Sequence, residues 1–241
     1  MTSRLACVLL LTSLAACGGD DNNTTDSGNG SGSGSAAPMI TITGSTVDKG
    51  TSTTPLAGVT VGAYQNSDEN TALVTAVSDT SGNFTLTITT NGHPLDGFLK
   101  ATAPDHWDTY LYPPTPLTAD FGGATMNLVT PNTVSLLSGT LCRHAIDETK
   151  GVIAVEVVDA SMMPVSGAVV ASNPAAAAYC YNATNGFPDS TLTATTTSGI
   201  GYMLDVSGQA TVSATKSGTT FPSHPVKARV GTVTTTLIVA Q

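Results

Sequence analysis

The side chains able to do chemistry are few in this sequence and stand far apart. Four histidines, His93, His106, His144 and His224, include no His-x-His or His-x-x-x-His spacing. Zinc ligands usually arrive at such short intervals, so a preformed zinc site is unsupported. No Gly-x-Ser-x-Gly elbow raises a serine nucleophile, and no His-x-x-Glu pair offers zinc-peptidase chemistry. Calcium would ask for alternating loop carboxylates, yet the adjacent aspartates Asp20 and Asp21 stand alone in a Gly/Ser/Asn stretch. The expectation is a chain that is not an enzyme, with no catalytic residue, no metal and no cofactor.

The densest aromatic stretch, His106-Trp107-Asp108-Thr109-Tyr110-Leu111-Tyr112-Pro113-Pro114, holds the only tryptophan. Aromatic rings flanked by polar groups stack on sugars, which makes Trp107, Tyr110 and Tyr112 the candidate ligand-binding residues. The competing reading is a strand and edge loop whose alternating Trp107, Thr109 and Leu111 cover a core. Tyr179-Cys180-Tyr181-Asn182 is a second candidate, for which packing around a disulfide is preferred.

At the amino terminus Arg4, the apolar run from Leu5 to Leu11 and the small residues before Cys17 read as a secretory signal too short to span a bilayer. Leu14-Ala15-Ala16-Cys17 resembles the lipobox of bacterial lipoproteins. The resemblance implies cleavage before Cys17, lipidation of that cysteine and a lipid-anchored place in the cell envelope. Gly18-Gly19 after it, in place of an aspartate, favours the outer membrane by the same resemblance. Three acyl chains, each methylene contributing about 0.8 kcal/mol, would anchor far better than one. Residues 17–37 are Gly, Ser, Asn, Asp and Thr almost throughout, a composition expected to form a flexible tether with an r.m.s. span of roughly 25 Å.

With Arg4 removed, 17 acidic side chains face seven basic ones, a formal charge of −10. Such a surface makes nucleic acid a poor partner. Cys142 and Cys180 are the cysteines left once Cys7 is removed and Cys17 lipidated, and an oxidising compartment makes a disulfide their simplest fate. Closing a loop of nearly forty residues would stabilise the fold by roughly 3–4 kcal/mol.

The rest of the chain repeats itself loosely. Asp48, Pro55-Leu56-Ala57-Gly58-Val59-Thr60-Val61 and Asp79-Thr80-Ser81-Gly82-Asn83-Phe84 return as Asp159, Pro164-Val165-Ser166-Gly167-Ala168-Val169-Val170 and Thr197-Ser198-Gly199-Ile200-Gly201-Tyr202. Gly58 to Gly167 is an offset of 109 and Gly82 to Gly199 one of 117, so order is kept while one loop grows. Period-two alternation, as in Thr85-Leu86-Thr87-Ile88, with Gly, Pro and Asn-Gly punctuation predicts antiparallel strands joined by tight turns. In the Asp79 segment the carboxylate can bond its own turn, Gly82 supplies a positive φ, and Phe84 points into the core.

Together the two copies resemble the carboxypeptidase regulatory-like domain, a prealbumin-like β-sandwich, over residues 48–103 and, more divergently, 159–218. Asp105-His106-Trp107 departs from the Gly-Tyr usual there. The resemblance implies an all-β fold of two tandem antiparallel β-sandwiches, and a non-catalytic accessory module of secreted and surface proteins. The family's enzymatic relatives, the intradiol dioxygenases, hold iron with two tyrosines and two histidines; Tyr110, Tyr112 and His106 are close in sequence, but the paired histidines have no counterpart.

The expected organisation is a signal over 1–16, a tether over 17–37, sandwiches over 38–133 and 151–241, and a connector over 134–150. Leu137, Leu141 and Ala145 recur every four residues, suiting a short helix entered near Asn132-Thr133, with Gly139 weakening it. If that helix carries Cys142, the bond to Cys180 pins it to the enlarged loop of the second copy. The functional expectation is a structural or protein-interaction module whose partner is an envelope protein or glycan, the alternative being a carbohydrate-binding lipoprotein.

Overall fold

A computed structural model describes residues 36–50 and 52–241. The amino-terminal signal, Cys17 and nearly all of the expected tether lie outside the described residues.

Eight strands come first: β1 Met39–Lys49, β2 Thr53–Pro55, β3 Thr60–Gln65, β4 Val74–Val77, β5 Asn83–Thr89, β6 Gly97–Thr102, β7 Asp108–Tyr112 and β8 Phe121–Leu128. Helix α1, Pro131–Ser135, runs into a π-helical stretch, Leu136–Leu141. Eight more strands follow: β9 Gly151–Val158, β10 Val169–Asn173, β11 Ala178–Asn182, β12 Pro188–Asp189, β13 Ile200–Val206, β14 Gly208–Thr215, β15 His224–Ala228 and β16 Thr232–Val239. The period of two in the sequence becomes the two faces of a sheet: in β5, Phe84, Leu86 and Ile88 are buried while Asn83, Thr85, Thr87 and Thr89 are exposed.

The first sandwich packs the β5-β1-β8 layer against β4-β3-β6-β7, and the second packs β11-β13-β9-β16 against β10-β14-β15. The repeat extends to the pairings. β1 runs antiparallel to β5 and parallel to β8, as β9 does to β13 and β16. These parallel pairs were not legible in the alternation, which reports faces and not strand direction. A third parallel pair joins the copies: β7 lies beside β16, from Asp108↔Thr232 to Tyr112↔Thr236. The two sandwiches therefore meet edge to edge, and one nine-stranded sheet, β12-β11-β13-β9-β16-β7-β6-β3-β4, passes through both.

The turns are built as their residues require. Asp79 Oδ1 accepts from the Ser81 and Asn83 amides, both at 2.8 Å, and Asp159 does the same for Ser161 and Met163. Gly82 has φ +78°, and a Cβ there would stand 2.5 Å from the Thr46 carbonyl, so glycine is required by both conformation and space.

The helix begins at Pro131, beside the expected entry at Asn132-Thr133, and ends at Leu141, so the rest of the 134–150 connector is not helical. Thr130 caps the helix, its hydroxyl accepting from the Thr133 amide, and Pro131 takes the first turn, where a missing N–H costs nothing. Arg143, at φ +55°, ends it. Ala145 lies beyond the helix, because Asp205 draws the following residues into a turn: its carboxylate accepts from His144 Nε2 at 2.6 Å and from the Asp147 amide at 2.9 Å. Cys142, the residue after the helix, is disulfide-bonded to Cys180. Cys180 sits in strand β11, fully buried, so the enlarged loop is an added strand and not an open loop.

Candidate functional site

Strand register gathers the sequence's aromatic candidates at the junction of the sandwiches. Tyr64 on β3 pairs with Phe98 on β6, and Leu99 pairs with Leu111, which sets Phe98 beside Tyr112 on β7; Tyr112 pairs in turn with Thr236 on β16. The Tyr64 and Phe98 rings stack at 5.4 Å between centroids, and those of Phe98 and Tyr112 at 5.1 Å. Tyr110 lies one row along, its ring 5.6 Å from that of Phe98.

This row belongs to the core of the second sandwich. Phe98, Tyr110 and Tyr112 cluster with Ile153, Val155, Met203, Val226 and Ile238. β7 is an interior strand: Tyr110 and Tyr112 face this core, while Thr109 is fully buried and Leu111 packs on the core of the first sandwich. The sequence-based platform of Trp107, Tyr110 and Tyr112 is thus corrected in its geometry. Tyr110 and Tyr112 are 7% and 5% exposed, too little ring surface to stack on a sugar, because joining β7 to β16 closes what an isolated sandwich would leave open. The competing reading, a strand whose Thr109 and Leu111 cover a core, agrees with this burial, while pairing with both β6 and β16 makes the strand interior. Trp107 is half-buried, and its amide is bonded to Val129 O at 2.9 Å, which ties the start of β7 to the chain entering α1. In the turn before it, Asp105 takes φ +59°, a conformation that favours glycine.

Charge completes the cluster. The Arg229 guanidinium, just after β15, lies 4.0 Å over the Tyr110 ring and 4.9 Å from the Phe98 ring. Its Nη2 donates to Glu69 Oε2 at 2.8 Å and to the Tyr112 hydroxyl at 3.1 Å. Lys227 Nζ donates to the same Glu69 oxygen at 2.8 Å. Glu69 sits in the β3–β4 loop of the first sandwich, so one carboxylate, two cations and three rings bridge the junction. Partial burial opposes ionisation of Glu69, but hydrogen bonds and charge from Lys227 and Arg229 outweigh it and hold the carboxyl below its ordinary range. Burial pushes the Tyr112 phenol up. On the flank, Lys100 pairs with Asp108 at 2.8 Å and lies 5.6 Å over Tyr110. A guanidinium clamped between rings and a carboxylate is suited to holding surfaces together. Arg229, Lys227 and Glu69 were missed at the sequence level; the signal available was Lys227-Ala-Arg229 in a chain with only eight basic residues.

A second polar feature lies on β9. The half-buried Glu156 accepts no hydrogen bond among the described residues, and desolvation alone raises its pKa. Burial also pushes the Tyr202 phenol of β13 up to about 12. The second aromatic candidate, Tyr179 to Asn182, is β11 itself: Tyr181 is buried, and its hydroxyl accepts from the Val170 amide of β10 at 3.2 Å. Among the described residues no three His, Cys, Asp or Glu side chains converge to hold a metal ion, and no helix is long and apolar enough to cross a membrane.

No family model matches the chain, and no curated protein matches it. Among solved structures it is similar to the Bacillus anthracis TIE protein, at 12% identity and a TM-score of 0.29, over 84% of this chain and 34% of that one. It is also similar to GBS52, the minor pilin of Streptococcus agalactiae, at 13% identity and a TM-score of 0.27, over 83% and 95%. A streptococcal ancillary pilin matches at 13% and 0.28, over 85% and 63%. The chain thus spans about a third of the length of the first of these. At such scores the likeness carries no statement about activity or partners.

Proposed function

We propose that this protein is a non-enzymatic module displayed on the cell envelope, a pair of carboxypeptidase regulatory-like sandwiches carried on a lipid attached to Cys17 and acting as a structural or protein-interaction unit. The observation that carries the reading is the use made of Arg229, Glu69, Tyr110 and Tyr112. The polar and aromatic groups that would otherwise recommend a ligand site are spent on bracing two sandwiches against each other. A braced pair with a predicted flexible tether suits presentation of a surface at a distance from a membrane. Gly18-Gly19 supports the outer membrane as its address.

Metabolic labelling with radioactive palmitate tests the anchor. The label is expected on the full chain and absent from Cys17→Ser; an unlabelled wild-type chain in the membrane-free fraction would sink it. The carbohydrate alternative is left with the half-buried Trp107 alone, since Tyr110 and Tyr112 are turned inward. A glycan array on wild type and Trp107→Ala, negative for both, is the outcome expected here.

A further inference from the structure

The two sandwiches treat one equivalent edge differently. By the offset that carries Gly82 onto Gly199, β5 of the first copy corresponds to β13 of the second. Each is antiparallel to the first strand of its copy, β1 or β9. On its other side β13 is covered by β11, paired from Ala178↔Leu204 to Tyr181↔Gly201, and β11 is fastened by the Cys142–Cys180 bond. In the first copy the chain between β3 and β5 supplies β4, but β4 pairs with β3 in the opposite layer. Among the described residues nothing pairs with the outer edge of β5.

The hydrogen-bond phase shows what that edge offers. The Thr46 amide donates to Gly82 O and the Thr90 amide to Pro38 O. Alternation between those points directs Phe84, Leu86 and Ile88 toward β1. The N–H and C=O of Thr85, Thr87 and Thr89 therefore point outward, six backbone groups in a row, under exposed threonine side chains.

Other edges are blunted. β12 is two residues long with Pro188, β2 is three with Pro55, and β4 is four. β15 contains Pro225 and Lys227. The Val170 amide of β10 is taken by the Tyr181 hydroxyl, and the Asn127 carbonyl of β8 by the Thr109 hydroxyl. β5 has seven residues, Asn83-Phe84-Thr85-Leu86-Thr87-Ile88-Thr89, with no charge, no proline and no bulge. Open edges of that kind are templates for strand pairing, and proteins ordinarily protect them.

We propose that β5 is an interaction edge whose partner is β5 of a second copy of this chain, added antiparallel about a two-fold axis through Thr87. Three observations favour a second copy. The strand is self-complementary: Thr85 falls opposite Thr89 of the other copy and Thr87 opposite Thr87, giving Thr–Thr cross-strand pairs. It is a neutral strip on a chain of formal charge −9, so the two copies approach where local repulsion is least. And edge pairing is how this chain already joins its own sandwiches, at β7 and β16. This deepens the reading of the protein as an interaction module, while needing nothing of the lipid anchor. One strand pair buries little surface, so a weak dimer is expected in solution.

Sedimentation velocity of the purified full chain over a wide concentration range is the test. A reversible monomer–dimer equilibrium is expected. Thr87→Pro removes an outward N–H without touching a β1 bond, and Thr85→Lys with Thr87→Lys sets like charges across the axis; each should weaken the dimer about tenfold or more while leaving the thermal melt of the monomer near wild type. Register has its own readout: Thr87→Cys should self-crosslink, and Thr85→Cys should crosslink with Thr89→Cys but not with itself. A chain monomeric throughout would overturn the proposal, as would a dimer indifferent to both folded edge variants. Hydrogen exchange showing the Thr85, Thr87 and Thr89 amides protected in the monomer would also overturn it, by assigning the edge to another part of the same chain.

Discussion

Ser78 and Thr195, 117 residues apart, do the same work in the two sandwiches. The Ser78 hydroxyl donates to Leu56 O at 2.9 Å and accepts from the Val59 amide at 3.0 Å. The Thr195 hydroxyl donates to Val165 O at 2.7 Å and accepts from the Ala168 amide at 2.9 Å. Their backbones match as well, Gly58 donating to Ser78 O and Gly167 to Thr195 O. Each hydroxyl closes the turn that launches the next long strand, β3 in the first sandwich and β10 in the second. Both residues are buried, so removing either oxygen leaves a buried amide unpaired.

Ser78→Ala and Thr195→Val should therefore each cost about 1–3 kcal/mol of stability. Ser78→Thr and Thr195→Ser should cost less, since the oxygen is kept. Urea denaturation of the four variants checks this; a Thr195→Val chain as stable as wild type would remove the structural role argued for the hydroxyl.

Much of this architecture was legible in residue types. The Asp79 turn, the φ of Gly82 and the inward alternation of β5 follow from local chemistry, and they were read correctly because each depends on neighbours in sequence. The pairing of Cys142 with Cys180 was legible by elimination. The aromatic stretch admits two readings in sequence, a platform or a core-covering strand, because its burial depends on a partner strand, β16, more than a hundred residues away, and alternation carries no information about which edge meets which. The clamp of Arg229 on Glu69 was invisible for the same reason: a separation of 160 residues leaves no local trace. The end of the connector helix, short of Ala145, is not legible in sequence because Asp205, some sixty residues on, decides where the chain turns.

The clamp should show in acid. The Glu69 carboxyl is held below its ordinary value, so the stability it contributes is complete above the unfolded pKa of 4.5 and is lost as pH falls through the lower folded value. Glu69→Gln should flatten that acid limb, and Arg229→Met should flatten it and lower stability at neutral pH by about 2 kcal/mol, because ring packing goes with the charge. A double-mutant cycle on Glu69 and Arg229, followed by urea denaturation at several pH values, measures the coupling. A coupling indistinguishable from zero would reduce the clamp to a surface ion pair.

Removal of the Cys142–Cys180 bond should cost roughly 3–4 kcal/mol by the entropy of a 38-residue separation. The loss should be local in its first effects, since β11 is held by β13 on one side and otherwise by only the two residues of β12. Amide exchange in Cys142→Ala/Cys180→Ala should accelerate at Ala178–Asn182 before it does in β9 or β16. Uniform acceleration across both sandwiches would mean that the bond supports the whole fold and not this added strand.

Glu156 should behave in the opposite sense to Glu69. Desolvation raises its pKa and no donor compensates among the described residues, so the folded chain resists its ionisation. With the folded value above the unfolded 4.5, ionisation lowers stability as pH rises from the unfolded value through the folded one. Glu156→Gln keeps the shape of the side chain and removes the charge. It should therefore stabilise the protein at neutral pH and have little effect below pH 4. Thermal melts of wild type and variant across that range give the sign directly: a variant less stable than wild type at pH 7 would show that the carboxylate has a partner, and the face of β9 around it would then have to be considered a binding surface.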